Sequence, residues 1–251
     1  MTISIITVLF NSVETVGDTL RSVSNQKWDD WEHVLVDGGS DDGTLEYLAS
    51  WDDSRRVVYS ESDRGIYDAM NKGLTKVSGD VIGFLNADDF FESREVLAIV
   101  AEAFADDQVD LVFGNLRYVE NKEVTRVVRD WRSEPYRSGM FARGWMPPHP
   151  TVYARREVFE KFGRFDEDFS ICADWEWLFR VFEIGGVKSL HIDEYFVRMR
   201  LGGASNGSPG AVLRSNGEAL RAFRKHGKSV PMGFLPGKIW HRGKQFWRAL
   251  F

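Results

Sequence analysis

The chain has 251 residues, 43% of them apolar, enough for one large domain or two small ones around a sizeable core. No apolar run approaches the roughly 20 residues of a membrane-spanning helix, and Met1-Thr2-Ile3-Ser4 lacks the basic-then-apolar order of a secretion signal. The single Cys172 excludes an internal disulfide framework and a multi-cysteine zinc site, and the formal charge of −6 argues against a nucleic-acid binder built on bulk electrostatics. The expectation is a soluble, intracellular protein.

In chain order, Ile3–Leu9 is a β-rich run followed by Asn11-Ser12 as a cap and a helical pattern through Val16, Leu20 and Val23. The unit repeats. A strand at His33–Val36 leads through the turn Asp37–Gly43 to a helix at Thr44–Trp51. Next come a strand at Val57–Ser60, a helix at Ile66–Val77 and a strand at Val81–Leu85. Repeated β-α-β units predict an α/β fold with a mostly parallel sheet covered by helices, and ligands of such sheets bind beyond the carboxyl ends of the strands. Asp37, Asp63 and Asn86-Ala87-Asp88-Asp89 fall at those ends. A helix at about Arg94–Phe104 then leads to a strand at Leu111–Phe113 and a hairpin pairing Leu116–Val119 with Val124–Val128. Arg129–Pro150 reads as a long loop. Arg155–Phe162 and Asp174–Ile184 read as helices, Val187–Val197 as a strand, and the glycine-rich Leu201–Gly210 as a mobile loop.

Four constellations carry candidate chemistry. The acids of Asn86-Ala87-Asp88-Asp89 sit after an apolar strand, where a hard divalent cation can bridge carboxylates to phosphate oxygens. The same acids equally suit a solvated turn capping the next helix. Asp37 can accept a hydrogen bond from a base imide or a ribose hydroxyl, or it can simply serve the turn it opens. Asn71 and Lys72, near the end of an amphipathic helix entered from Asp63, can face a nucleotide, although burial of Ile66, Met70 and Leu74 alone explains the helix. Asp174, between Cys172 and the pair Trp175 and Trp177, is either a general base or a helix-start acid in favourable contact with the dipole. Cys172 has no neighbouring His in sequence and reads as a small buried residue.

Taken together and in this order, Ile5–Asn11, Val36–Thr44, Gly65–Gly73, Gly79–Asp89 and Ala173–Glu176 resemble glycosyltransferase family 2, the inverting enzymes of the GT-A fold that include bacterial polysaccharide-biosynthesis members. The resemblance spans about residues 3 to 200. It implies that Thr7, Asn11 and Glu14 line the nucleobase and ribose, that Asp37 contacts the base, and that Asp63, Asn71 and Lys72 flank the nucleotide. Asn86-Ala87-Asp88-Asp89 matches the D-x-D region, with Asn in place of its first acid. It would bind the donor through Asn86, Ala87 and Asp88, and a Mn²⁺ or Mg²⁺ cofactor on the diphosphate through Asp88 or Asp89. Asp174 corresponds to the catalytic base, although Ala173 replaces the Glu that precedes it in the family. His149, in Pro147-Pro148-His149-Pro150, would lie beside the donor sugar, while Arg198 and Arg200 would clamp the diphosphate.

The tail is unlike the body. Arg214–Phe251 carries nine Lys or Arg against Glu218 alone, a balance of +8 that leaves −14 on the first 213 residues. Ile239, Trp240, Gly243, Phe246, Trp247, Leu250 and Phe251 share one helical face, which suits an interfacial anchor on an anionic membrane or a helix packed on the domain or on a second subunit. The expected organisation is therefore a GT-A domain at 1–213, with a nucleotide half at 1–115 and an acceptor and catalytic half at 116–213, followed by a basic amphipathic tail at 214–251. The expected partners are a nucleotide-sugar donor, probed first as a UDP-sugar, a glycan or lipid-linked acceptor, and the inner face of the cell membrane. A sugar-nucleotide pyrophosphorylase would need a glycine-rich basic loop that Leu9-Phe10-Asn11-Ser12 is not. A silent binding module would not need Asp174, and a membrane scaffold would need only the tail.

Overall fold

Seven successive buried residues, Ile3–Leu9, form β1 in the middle of the sheet. In the computed structural model, which describes residues 1–202 and 209–249, β2 (Trp31–Asp37) and β3 (Arg56–Ser60) add to β1 in parallel on one side. β4 (Val81–Phe84) adds in parallel on the other. The side chains of β1 alternate between two layers, as the pleat requires. Ile3 and Ile5 pack with Val23 of α1 (Val16–Ser24) and with Val96, Leu97 and Val100 around α4 (Val96–Ala103). Ile6 and Val8 pack with Met70 and Leu74 of α3 (Ile66–Leu74), and Leu9 meets Leu48 of α2 (Thr44–Ala49). A strand buried on both faces reads as a continuous apolar run, which is how β1 reads.

The second half of the sheet is mixed. β8 (Tyr153–Arg155) runs antiparallel between β4 and β6 (Leu111–Val119), and β9 (Ser189–Arg200) runs parallel to β6. β7 (Val127–Trp131) pairs antiparallel with β6, and the short β5 (Phe90–Phe91) closes the edge on β9. β6 is one strand where two were expected, because it stays paired with β9 across a bulge between Phe113 and Leu116. Its hairpin partner is Val127–Trp131 instead of Val124–Val128. The expected loop Arg129–Pro150 contains the end of β7 and two 3-10 turns, Phe141–Arg143 and His149–Thr151. Tyr136, Phe141 and Trp145 pin it by packing on Phe182. Two helices follow β8 in the chain, α5 (Arg156–Phe162) and α6 (Ala173–Phe179). α6 continues as a π-helical turn, Arg180–Ile184.

The C-terminal segment is built into this body. The division drawn at 213 falls inside α7 (Pro209–Lys225), and Ala219, Ala222, Phe223 and Phe234 join the core around Trp175 and Phe179. α8 (Phe234–Arg248) lies across β7 and the 3-10 turn at Phe141–Arg143. Glycine makes that approach possible: a Cβ at Gly237 would overlap the Arg143 carbonyl oxygen, and Gly144, at φ +73°, faces the backbone of Lys238. Residues 203–208 of the expected glycine-rich loop, and Leu250 and Phe251 of the expected apolar face, lie outside the described residues. No helix among the described residues is long and apolar enough to cross a membrane.

Candidate active site

A cleft of about 900 Å³ opens beyond the carboxyl ends of β1 and β4. Asn11, Asp63, Asn86, Ala87, Asp88, His149 and Asp174 all line it, so the folded chain gathers residues separated by up to 163 positions. Asn11, in left-handed backbone at φ 50°, is braced by the next loop: its N–H donates to Ser40 Oγ (2.8 Å) and its Oδ1 accepts from the Asp41 N–H (3.0 Å). Asp63 Oδ1 accepts the Gly65 N–H that opens α3 (2.8 Å).

At the end of β4 the two acids divide. Asp88 lines the cleft, where burial pushes its carboxyl above the usual carboxylate range and the Arg200 charge only partly offsets this. Asp89 is fully buried behind it, accepting from Asn86 Nδ2 and from the Arg200 N–H (both 3.2 Å). Burial, and Asp88 beside it, hold its carboxyl well above the usual range. Arg200 donates to the Asp88 carbonyl (2.6 Å) and pairs with Asp18, so it braces this loop from behind. Among the described residues no group of three or more His, Cys, Asp and Glu is disposed to hold a metal. A single cleft-facing carboxylate still suits Mg²⁺ or Mn²⁺, hard cations that commonly take most of their ligands from substrate phosphates and water.

Asp174 sits in the first turn of α6, where its Oδ1 accepts the Tyr67 hydroxyl (2.9 Å). Burial and the Asp174 charge keep that phenol protonated, and therefore a donor. The loop before α6 is held from α7. Glu218 takes backbone N–H groups from Ser170, Ile171 and Cys172 (3.1, 2.9 and 2.9 Å). His149 packs between the Phe84 and Phe165 rings (5.5 Å each). Burial pulls its imidazole below its ordinary value despite Asp174, so it is neutral at pH 7. Glu176 turns away from the cleft into a buried pair with Arg180 (2.8 Å), with His226 also on it (2.6 Å). Burial pushes the Cys172 thiol up to about 12, and its Sγ lies 3.1 Å from Ser215 Oγ.

The remaining sequence candidates lie off the cleft. Thr7 is buried against His33 Nε2 (2.8 Å). Asp37 is spent on its own turn, taking the Gly39 N–H (3.0 Å), the Ser40 N–H (3.1 Å) and the Ser60 hydroxyl (2.7 Å). Asn71 clamps the Phe165 backbone (2.9 and 3.0 Å), Lys72 donates to the Ser62 carbonyl (2.8 Å), and Glu14 is exposed. Sequence reasoning also missed a wall. Ser215 and Asn216 of α7 and Leu235, Lys238 and Arg242 of α8 line the cleft, together with Arg129. The position of Glu218 as the lone acid in a basic segment was the one available signal.

Residues 4–171 match the family described as Glycosyl transferase family 2. The chain belongs to that family. An uncharacterized glycosyltransferase of Mycobacterium tuberculosis is 30% identical to this glycosyltransferase over 265 residues, covering 100% of this chain and 96% of its own. The crystal structure of S. aureus TarS 1–349 superposes with a TM-score of 0.68 at 16% identity, over 96% of this chain and 72% of that one, and TarS has also been crystallised with UDP-GlcNAc. A mannosyltransferase from Pyrobaculum calidifontis, solved with GDP-Man and Mn²⁺, gives 0.67 at 19% identity over 99% and 73%. The α/β fold is thus that of GT-A glycosyltransferases, and the cleft lies where the sheet of this glycosyltransferase opens.

Proposed function

We propose that the protein transfers a sugar, with inversion, from a nucleoside-diphosphate sugar of the UDP class to an acceptor hydroxyl in surface polysaccharide or glycolipid assembly. One observation carries the reading: Asp88 and Asp174 face a single cleft from separate elements, and Tyr67 fixes Asp174 in place. Asp174 accepts the acceptor's proton as the hydroxyl oxygen attacks the anomeric carbon from the face opposite the leaving nucleoside diphosphate. A single displacement of this kind inverts the configuration. Asp88 would hold the divalent cation, which when bound supplies charge stabilisation to the departing diphosphate. Asp89, paired with Asn86 and the Arg200 backbone, keeps the loop that carries Asp88 in position. Neutral His149 offers the sugar a hydrogen-bonding group that carries no charge. The metal-bound mannosyltransferase and the UDP-GlcNAc-bound TarS support the cation and the donor class.

Asp174→Asn removes the base and leaves its shape. UDP release from a panel of UDP-sugars in Mn²⁺ or Mg²⁺ should fall about 10²–10⁴-fold, while calorimetric UDP affinity stays within about twofold. An undiminished rate would overturn the base. Failure of the unmodified protein to bind UDP with either cation would overturn the donor class.

A further inference from the structure

The wall that α8 adds to the cleft is cationic, and its cations have no acid at ion-pair distance among the described residues. Arg129 of β7, only 7% exposed, gives its Nε to Gln245 Oε1 (2.6 Å) and lies over the rings of Tyr118, Trp131 and Phe246 (4.4, 5.1 and 5.6 Å). Lys238 donates to Asn216 Oδ1 (2.9 Å) and Ser215 Oγ (3.4 Å). Arg242 lines the same cavity. Every one of these contacts is to a neutral group, and among the described residues no ion pair includes Arg129, Lys238 or Arg242. Other arginines of low exposure have an acid beside them, Arg180 with Glu176, Arg198 and Arg117 with Glu92 and Arg200 with Asp18, whereas Arg56 and Arg156 bond only to neutral groups.

Burial holds Arg129 and Lys238 below their ordinary values, and the Arg242 charge presses on both. With Arg242 acting on both, like charges lining one partly desolvated wall are unfavourable until an anion joins them. Lys238 lies on the Asp174 side of the cleft: Ser215 Oγ is 3.4 Å from its Nζ and 3.1 Å from Sγ of Cys172, two residues before Asp174. Leu235 and Ile239, on the same helix, add apolar surface to that stretch.

We propose that Arg129, Lys238 and Arg242 form an anion subsite that takes a phosphate-class group carried by the acceptor, beside the hydroxyl that Asp174 deprotonates; this rests on the transferase reading of the cleft. The guanidinium of Arg129 is preorganised by its three rings and by Gln245, so its remaining N–H donors can meet phosphate oxygens at little entropic cost. The adjoining Leu235 and Ile239 suit an acceptor whose phosphate is attached to an apolar chain.

The test uses the full chain saturated with UDP and Mn²⁺, titrated calorimetrically with octyl phosphate below its micelle concentration and with octyl glucoside as the uncharged control. Octyl phosphate should bind and the glucoside should not. Arg129→Gln, Lys238→Gln and Arg242→Gln should each weaken octyl phosphate about tenfold, with UDP affinity unchanged and with Lys238→Arg close to the unmodified protein. If Arg129→Gln does not fold, the two α8 variants decide the question. Equal binding of phosphate and glucoside, or no effect of any variant, overturns the subsite. Loss of UDP affinity with octyl phosphate binding intact assigns the cations to the donor and also overturns it. A protein that binds octyl phosphate but not UDP would keep the subsite and lose the UDP-donor reading.

Discussion

His33 shows how one buried side chain ties the parallel half of the sheet to pH. It is fully buried in β2 with Nε2 on Thr7 Oγ1, its Nδ1 has no partner among the described residues, and burial, with the Arg56 charge behind it, lowers its pKa from 6.5 to about 3. Below pH 6.5 the unfolded chain takes up a proton that the folded protein refuses until about pH 3. Stability is therefore full above 6.5 and is lost as pH falls across that window, at up to about 1.4 kcal/mol per pH unit for this group. Carboxylates contribute their own slope in acid, so the comparison must be with a variant. His33→Gln can still bond Thr7 and has nothing to titrate. Urea unfolding of the two proteins between pH 7.5 and 5 should give a shallower loss for the variant, and parallel curves would refute the assignment. Thr7 was expected to line the nucleobase and ribose; that His33 consumes its hydroxyl was not legible, because the partner belongs to the neighbouring strand.

At the scale of elements, the first half of the chain could be read closely because each unit is a local pattern. A β-branched run and a 3.6-residue period mark β1 and α1; β1 keeps its expected bounds, while α1 starts at Val16 after Thr15, three residues past the expected cap at Asn11-Ser12. The second half was less legible for a physical reason. β6 is held together by β9, whose pairing carries it across a bulge, and Arg129–Pro150 is ordered by aromatic packing that has no period. The cleft residues that came from local motifs were found, whereas Glu218, Lys238 and Arg242 act only because α7 and α8 fold back onto the body. Gly237 is the hinge of that docking. Gly237→Ala must push α8 off the Arg143 carbonyl, since the clash is with backbone that no rotamer can relieve. Overpacking of this kind costs about 1–3 kcal/mol. The variant should melt several degrees lower and expose Lys238 to trypsin in the folded state. An unchanged melting temperature with α8 still protected would show that the contact is slack.

For the whole molecule, the charge of −6 is the sum of an acidic body at −14 and a C-terminal segment at +8, and the last helix of that segment has two unlike sides. Its inner side closes the cleft through Lys238, Arg242 and buried Gln245, while Phe234 anchors it in the core. Its outer side leaves Trp240 and Trp247 exposed by 64% and 65%, with Lys244 over the Trp240 ring (5.0 Å) and Arg248 beside them on the same helix. Tryptophans flanked by exposed cations on an otherwise acidic protein suit attachment to an anionic lipid surface, and attachment there would bring the mouth of the cleft to a lipid-borne acceptor. Deleting α8 cannot test this, because it would remove the cleft wall as well. Trp240→Ser with Trp247→Ser changes two side chains that do not line the cleft. Co-sedimentation with phosphatidylglycerol vesicles should drop several-fold in the double variant, and binding of the unmodified protein should weaken as salt shortens the Debye length from about 10 Å at 0.1 M to about 3 Å at 1 M. UDP affinity should be unaffected, since the cleft keeps all of its lining. Vesicle binding that survives both substitutions and high salt would show that the exposed face of α8 serves some contact other than lipid.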